Sequence, residues 1–285
     1  HVYIRDDTER RQAEERLRRM AYEDGVTGLP NRAGLLEVLE TRVASDSPGV
    51  LTVRLGRFDL FTTQYGFEAA DTYLREVGAA LGDAASICLE GSAVVGRLDG
   101  ALFAVVASDP TLGCEQAEAL LARLPREVQA SGALFQPDYR IGVRPPRDSD
   151  RAGDGAEVLR DAKTALLAAE RSQQGRVAEH DEALQAAEGE RARIEARLGQ
   201  ALRAERGLQP YIQPKLRLSD GAVTGGELLA RWQDPELGWV SPGQFIPVAE
   251  QSGLIAELGD WVRERALDLL ADWQADAATR GARLA

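Results

Sequence analysis

Cysteine is nearly absent from this chain: Cys88 and Cys114 are the only two in 285 residues. Two isolated thiols form neither a disulfide framework nor a metal motif, so both are expected to be reduced core residues of a cytoplasmic protein. Long apolar runs are missing too. No stretch approaches the ~20 residues needed to cross a bilayer, and no secretory leader is visible. Basic charge is in deficit, with 34 Lys and Arg against 46 Asp and Glu and a formal net charge of −12. That balance argues against a general binder of nucleic-acid polymers, which must neutralise a phosphate backbone. It leaves room for one small phosphorylated ligand held by a few local groups. Short repeats and low-complexity segments are also lacking.

What is present suffices for ordinary cores. Hydrophobic residues make up 44 % and charged residues 28 %, close to the shares of soluble globular chains, and the length suits about two domains. The chain begins at His1 without an initiator methionine and stops at Ala285 where a new strand is expected, so both ends read as cut.

Residues 1–5 alternate like the end of a strand. Residues 6–22 read as a charged helix whose Ala13, Leu17 and Met20 leave a narrow apolar seam, suited either to a coiled coil or to a solvated connector. From Asp24 to Val177 the pattern is α/β. Val50–Leu55 reads as a strand, 59–82 as a helix, Ala93–Leu98 and Ala101–Ala107 as a hairpin around Asp99-Gly100. Residues 114–129 read as a helix and Tyr139–Val143 as a strand. Asp154 and Glu157 predict a capping box for a helix reaching about Ser172. A long charged helix is expected over 181–206, with a seam through Leu184, Ala187, Ile194, Leu198 and Leu202. Strands follow at 209–213 and 222–230. A second capping box, Ser241 to Gln244, opens a helix with Pro242 at its first position. The last helix, roughly 257–275, is expected to bury Leu258, Trp261, Val262, Leu269, Leu270 and Trp273.

Asp24-Gly25-Val26-Thr27-Gly28-Leu29-Pro30-Asn31-Arg32 makes a tight turn: Gly28 relaxes the backbone, Pro30 fixes φ, and Asn31 can cap the next helix. This stretch resembles the DxLTGLPNR motif of GGDEF domains. The resemblance runs through residues 24–180 by way of Gly66, Asp71, the hairpin, Ile141-Gly142, and Ala162, Ala165 and Ala169. It implies a domain that in active members holds GTP and two metal ions, which need carboxylate ligands. Those carboxylates are gone. Arg54 stands where the family has the metal-binding aspartate of its first strand. The signature GGDEF reads Asp99-Gly100-Ala101-Leu102-Phe103, so Ala101 and Leu102 fill both acidic positions. Thr62 replaces the asparagine that would contact guanine, while Asp71 keeps the acidic guanine partner. Glu170 and Gln174 replace the lysine and arginine that would face phosphate, and the product-inhibition RxxD reads Glu90-Gly91-Ser92-Ala93. A cation at Arg54 and an anion at Glu170 oppose metal and phosphate binding, so no cyclase activity is expected.

Residues 208–275 resemble the opening of an EAL phosphodiesterase domain. The resemblance rests on Gln209-Pro210-Tyr211-Ile212-Gln213-Pro214, Gly226-Glu227-Leu228-Leu229-Ala230-Arg231-Trp232, Pro242 to Glu250, and Gly253-Leu254-Ile255. The EAL tripeptide itself reads Glu227-Leu228-Leu229. Strand alternation puts Glu227, Leu229 and Arg231 on one face and Leu228, Ala230 and Trp232 on the other. Glu227 can ligate a divalent cation and Arg231 can fork onto a phosphate. The resemblance assigns those roles, adds Gln213 as a ligand contact, and implies Mg²⁺ or Mn²⁺ as cofactor and cyclic-di-GMP as ligand. The family barrel builds its site from many strand ends. Its later metal carboxylates and base would lie beyond Ala285, so residues 207–285 alone are expected to be inactive.

The expected fold is therefore α/β (α+β). A GGDEF nucleotide-cyclase-like sheet with flanking helices is followed by a linker helix and the start of an EAL TIM-like barrel. Residues 1–22 are expected to close a PAS-like domain and form a signalling helix, since Ile4 to Arg11 resembles a PAS–GGDEF junction. Residues 23–180 form a degenerate GGDEF domain, 181–206 a linker helix, and 207–285 the first part of an EAL domain. Two functions stand side by side. One is a cyclic-di-GMP phosphodiesterase with a regulatory GGDEF domain. The other is a non-enzymatic cyclic-di-GMP receptor. The seams at Ala13–Met20 and Leu184–Leu202 suggest a homodimer in either case.

Overall fold

The computed structural model describes residues 8–45, 47–130, 133–147, 154–172, 175–275, 279 and 282–284. The chain divides into two compact units, His1–Gln185 and Ala186–Ala285. The strand expected over residues 1–5 and residues 4–7 of the PAS-like junction lie outside the described residues.

In the first unit α1 (Thr8–Tyr22) and α2 (Arg32–Ser45) precede β1 (Gly49–Gly56), α3 (Phe58–Cys88), β2 (Ala93–Asp99), β3 (Leu102–Ala107) and α4 (Cys114–Leu121). Then come β4 (Val128–Ala130), β5 (Ala133–Phe135), β6 (Asp138–Arg144), α5 (Gly155–Arg171) and β7 (Val177–Glu179). Five strands form one sheet in the order β2–β3–β1–β6–β7, and β4 pairs with β5. β1 is central, antiparallel to β3 and β6, so both of its faces need cover. Leu51, Val53 and Leu55 pack with Phe61, Tyr73, Leu74 and Val77 of α3. Val50 packs on the opposite face with Leu35 and Leu39 of α2 and Val158, Leu159 and Ala162 of α5. Thr52 shares the α5 face and is buried, but its hydroxyl donates to the Ala162 carbonyl at 2.8 Å, which satisfies it. Helix α5 lies close because Gly142 of β6 has no side chain. A Cβ there would overlap the backbone of Leu166 and Ala162.

The turn at 24–31 forms as its residues predict. Asp24 Oδ1 accepts the amide and the hydroxyl of Thr27, each at 2.8 Å, and Gly28 adopts φ +70°. Asn31 Oδ1 accepts the amides of Ala33 and Gly34 at 2.9 and 3.0 Å, capping α2.

Several expectations need correction. The hairpin turn is Gly100-Ala101 rather than Asp99-Gly100, since Asp99 pairs with Leu102 and Gly100 takes φ +38°. The helix expected over 114–129 stops at Leu121. Pro125 has no N–H to donate and disfavours the helical region for Leu124, and 128–130 extend as β4 instead. Asp154 caps α5 by accepting the Ala156 amide at 2.8 Å, but Glu157 pairs with Arg160 at 3.0 Å, so the reciprocal half of the box goes to an ion pair. Both cysteines are free, yet neither is a core residue: Cys88 is half-buried and Cys114 exposed. Cys114 opens α4, whose buried face is carried by Ala117 and Leu120.

The second unit takes up α6 (Glu182–Ala204) from Ala186 onward and adds β8 (Leu208–Leu216), β9 (Val223–Asp234), β10 (Gly238–Val240), α7 (Pro242–Ser252), α8 (Ile255–Ala275) and β11 (Arg283–Leu284). β8 lies antiparallel along one edge of β9. On the other edge β10 is antiparallel and β11 parallel, so α7 and α8 form the crossover that a parallel return requires. The α7 box forms: Gln244 Oε1 accepts the Ser241 amide at 3.1 Å. Trp232 is fully buried, edge-on to Phe245 at 5.8 Å. Leu258 and Trp261 of α8 join this core, while Val262, Leu269, Leu270 and Trp273 are half-buried. The α6 seam is corrected here. Ile194, Leu198 and Leu202 pack into the core of their own unit, while Ala187 is exposed. An apolar stripe buried against its own chain incurs no association entropy, so it is satisfied before a second chain is needed.

Candidate functional site

The degenerate hairpin of the first unit lies beside β1. In register, Arg54 faces Leu102 on one side and Arg140 on the other. Its Nε donates to Glu170 Oε1 of α5 at 3.1 Å, with each side chain about one-third exposed (35 % and 30 %). The two charges expected to oppose metal and phosphate therefore meet and neutralise each other. Nothing in local spacing announces this pair, whose members are 116 residues apart. Arg140, which the sequence did not single out, donates through one terminal nitrogen to the carbonyls of Ala169, Ser172 and Gly175 at 3.1–3.3 Å. That is the carbonyl end of α5, where a cation is favoured.

Ala101 is 6 % exposed, Leu102 and Phe103 are fully buried, and the Ala101 carbonyl accepts the Leu55 amide at 3.0 Å. Asp99 and Gly100 are exposed at the turn. Thr62 donates its hydroxyl to the Phe58 carbonyl of its own helix at 3.0 Å. Asp71 is half-buried further along α3, past a non-helical Gly66. Gln174 lies outside the described residues. Arg97 straps the hairpin to the turn before α2: its NH1 meets both Asp24 oxygens at 3.0 Å and its Nε donates to the Gly100 carbonyl at 2.8 Å. Burial pushes the Asp24 pKa up, but hydrogen bonds from Thr27 and the Arg97 charge outweigh it and hold the carboxyl below its ordinary value.

The second unit brings a different set together. Gln213 lies directly opposite Glu227, Tyr211 opposite Leu229, and Gln209 opposite Arg231. Directly paired residues project to the same side of a sheet. One face thus carries Glu227, Leu229, Arg231, Gln213 and Tyr211. Trp232 and Ala230 alternate to the other, where helices cover them. The Glu227 side chain is half-exposed, with Lys215 Nζ 3.9 Å from its Oε2. Arg231 NH1 donates to the Ala230 carbonyl at 3.0 Å, and Arg231 Cζ lies 5.9 Å from the centroid of the Tyr211 ring. Lys215 and Tyr211 were missed as site neighbours; only strand register places them there. The face offers a carboxylate for an oxygen-seeking cation, and a guanidinium and an amide for a phosphorylated ligand. Among the described residues no three His, Cys, Asp or Glu gather as a metal cluster. Glu227 fits as one ligand of a hard cation that takes about six, and the described residues supply only that part of the set. Among them no helix is long and apolar enough to cross a membrane.

Comparisons with known proteins agree with this division. The profile described as "Diguanylate cyclase, GGDEF domain" matches residues 21–176, and that described as "EAL domain" matches 195–285. An "Uncharacterized signaling protein" of Caulobacter vibrioides is 33 % identical over 280 residues, 95 % of this chain and 34 % of that protein. "Cyclic di-GMP phosphodiesterase PdeR" of Escherichia coli is 31 % identical over 274 residues, 94 % of this chain and 40 % of that one. The chain spans about a third to two-fifths of the length of the curated relatives it matches. The S helix–GGDEF–EAL structure of Vibrio cholerae LapD, bound to c-di-GMP, has a TM-score of 0.57 at 16 % identity, covering 92 % of this chain and 61 % of LapD. At that identity the likeness shows the fold.

Proposed function

We propose a function from one premise: this chain belongs to the GGDEF family, and an EAL domain follows in tandem. The first unit is a catalytically silent regulatory domain. The second, as part of the full-length protein, binds cyclic-di-GMP and hydrolyses it to the linear dinucleotide. The observation that carries the reading is the single open face on which Gln213 stands opposite Glu227 with Arg231 on the same side. Arg231 makes a charge-assisted contact to a ligand phosphate, Gln213 offers an amide contact, and Glu227 is one oxygen ligand of Mg²⁺ or Mn²⁺. The metal, when bound, supplies Lewis acidity to the phosphodiester and a more acidic water. The E. coli relative's name supports hydrolysis. In the first unit the Arg54–Glu170 pair and the buried Ala101 and Leu102 support the loss of cyclase chemistry. Two chains pair along α1, a reading supported by exposed Leu17 and Met20. A cytoplasmic location belongs to the same reading, supported by the two free thiols.

A second reading, a receptor without hydrolysis, is favoured by Lys215, whose ammonium balances the Glu227 carboxylate without a metal. One experiment separates the two. Full-length protein is assayed for cyclic-di-GMP turnover in Mg²⁺ and for binding by calorimetry with and without EDTA. Hydrolysis is expected, with Glu227→Gln removing most of it and Arg231→Ala weakening both binding and turnover. Tight metal-independent binding without turnover, insensitive to Glu227→Gln, replaces the enzyme with the receptor.

A further inference from the structure

We propose that Tyr211 is a positioning residue for Arg231, holding its guanidinium over the open β8–β9 face before a phosphate arrives. The inference rests on the reading above that this face takes cyclic-di-GMP. Tyr211 pairs with Leu229, and Arg231 lies two residues further along β9 on the same face. Diagonal neighbours of this kind are within reach of long and aromatic side chains. The guanidinium carbon is 5.9 Å from the ring centroid, inside the range of a cation–π contact.

Among the described residues the ring has no competing contact. Tyr211 is 47 % exposed and belongs to none of the three hydrophobic cores, whereas Trp232 and Leu208 on the opposite face fill one. Arg231 directs NH1 to the Ala230 carbonyl of its own strand at 3.0 Å. Among the described residues the edge formed by Nε and the second terminal nitrogen has no protein acceptor, and that edge is the fork that matches a phosphate. An arginine tethered by one hydrogen bond and one aromatic face has already given up much of its rotamer freedom. Ordering it then costs less when the ligand binds.

The test uses full-length protein. Affinity for cyclic-di-GMP is measured by calorimetry in EDTA, and KM and kcat separately in Mg²⁺. Tyr211→Leu is expected to raise Kd and KM by about two- to fivefold, the worth of an exposed cation–π contact, with kcat changed less than KM. Tyr211→Phe keeps the ring and should stay close to wild type. In an Arg231→Ala background, Tyr211→Leu should add nothing, because the ring acts through the guanidinium. Tyr211→Thr, a good strand former, repeats the loss should the leucine variant fold poorly. Unchanged affinity in the leucine and threonine variants overturns the proposal. So does a phenylalanine variant as weak as leucine, which assigns the effect to the hydroxyl. A loss that adds to that of Arg231→Ala also overturns it, since the ring then meets the ligand directly. Wild-type binding without turnover refutes hydrolysis alone and leaves the calorimetric comparison to decide Tyr211. Wild type that binds nothing refutes the ligand reading and this inference together.

Discussion

Changing Glu170 to lysine sets an ammonium against Arg54 where a carboxylate now lies 3.1 Å from its Nε. Coulomb's law at that separation gives about 1 kcal/mol in a water-like medium and about 5 kcal/mol at an effective permittivity of about 20. The pair is roughly one-third exposed (35 % and 30 %), so solvent screening discounts the larger figure, and exposed pairs contribute about 0.2–1 kcal/mol. Losing an attraction of that size and gaining a comparable repulsion should cost Glu170→Lys about 0.4–2 kcal/mol. Urea unfolding measures it, and the penalty should shrink in 1 M salt, where the Debye length falls to about 3 Å. Adding Arg54→Asp restores an opposite-charge pair and should recover most of the loss. The double variant also returns the family's charges to both positions, yet it should make no cyclic-di-GMP from GTP and Mg²⁺. The Ala101 and Leu102 side chains remain buried hydrocarbon, with no carboxylate for a metal. A salt-independent penalty, or a double variant no more stable than Glu170→Lys, would refute the pairing argument. Clear cyclase turnover by the wild type, read by chromatography, would refute the silent-domain reading.

Light scattering should find a dimer at moderate concentration, and Leu17→Glu should weaken it by placing a charge in the α1 seam; a strictly monomeric wild type would sink that expectation. Acid should destabilise the first unit through His180. It is 2 % exposed, and burial pushes its pKa below the ordinary 6.5, helped by Arg147 and Arg144 and opposed by Asp161 and Asp181. A lowered pKa means the neutral form is preferred in the fold. Its contribution is complete above about pH 6.5 and is lost as pH falls toward the folded value. His180 Nδ1 sits 3.1 Å from an Arg147 nitrogen and accepts from it when neutral. His180→Asn should therefore flatten the fall of the urea midpoint between pH 7.5 and 5.5, and an unaltered slope would count against it. Gly142→Ala should cost about 1–3 kcal/mol, because the new methyl overlaps α5 backbone that cannot swing aside; an unfolding midpoint equal to wild type would contradict the close approach.

Short-range features were legible in the sequence because the rules behind them are local. Asp24, Gly28 and Asn31 specify their turn through their own hydrogen bonds and φ values. The hairpin was visible from one glycine between two β-rich runs, though its exact turn pair was not. A period of two was enough to put Glu227 and Arg231 on one face and Trp232 on the other. Residues 114–129 read as one helix, but α4 stops at Leu121, Pro125 bars its continuation, and 128–130 extend as a strand.

What the tertiary structure alone decided are the pairings between remote residues. Strand register placed Gln213 against Glu227 and Tyr211 beside Arg231, and a one-residue slip would have sent β8's side chains to the opposite face. Sheet order brought β1 against α5, so two charges 116 residues apart close on each other where metal and phosphate chemistry was expected to have been lost. The α6 stripe could have served a second chain or its own core, since periodicity records that a face is apolar but not what covers it. Ile194, Leu198 and Leu202 went inward because Trp232 and Phe245, brought by the fold onto the covered side of β9, presented the nearest apolar surface.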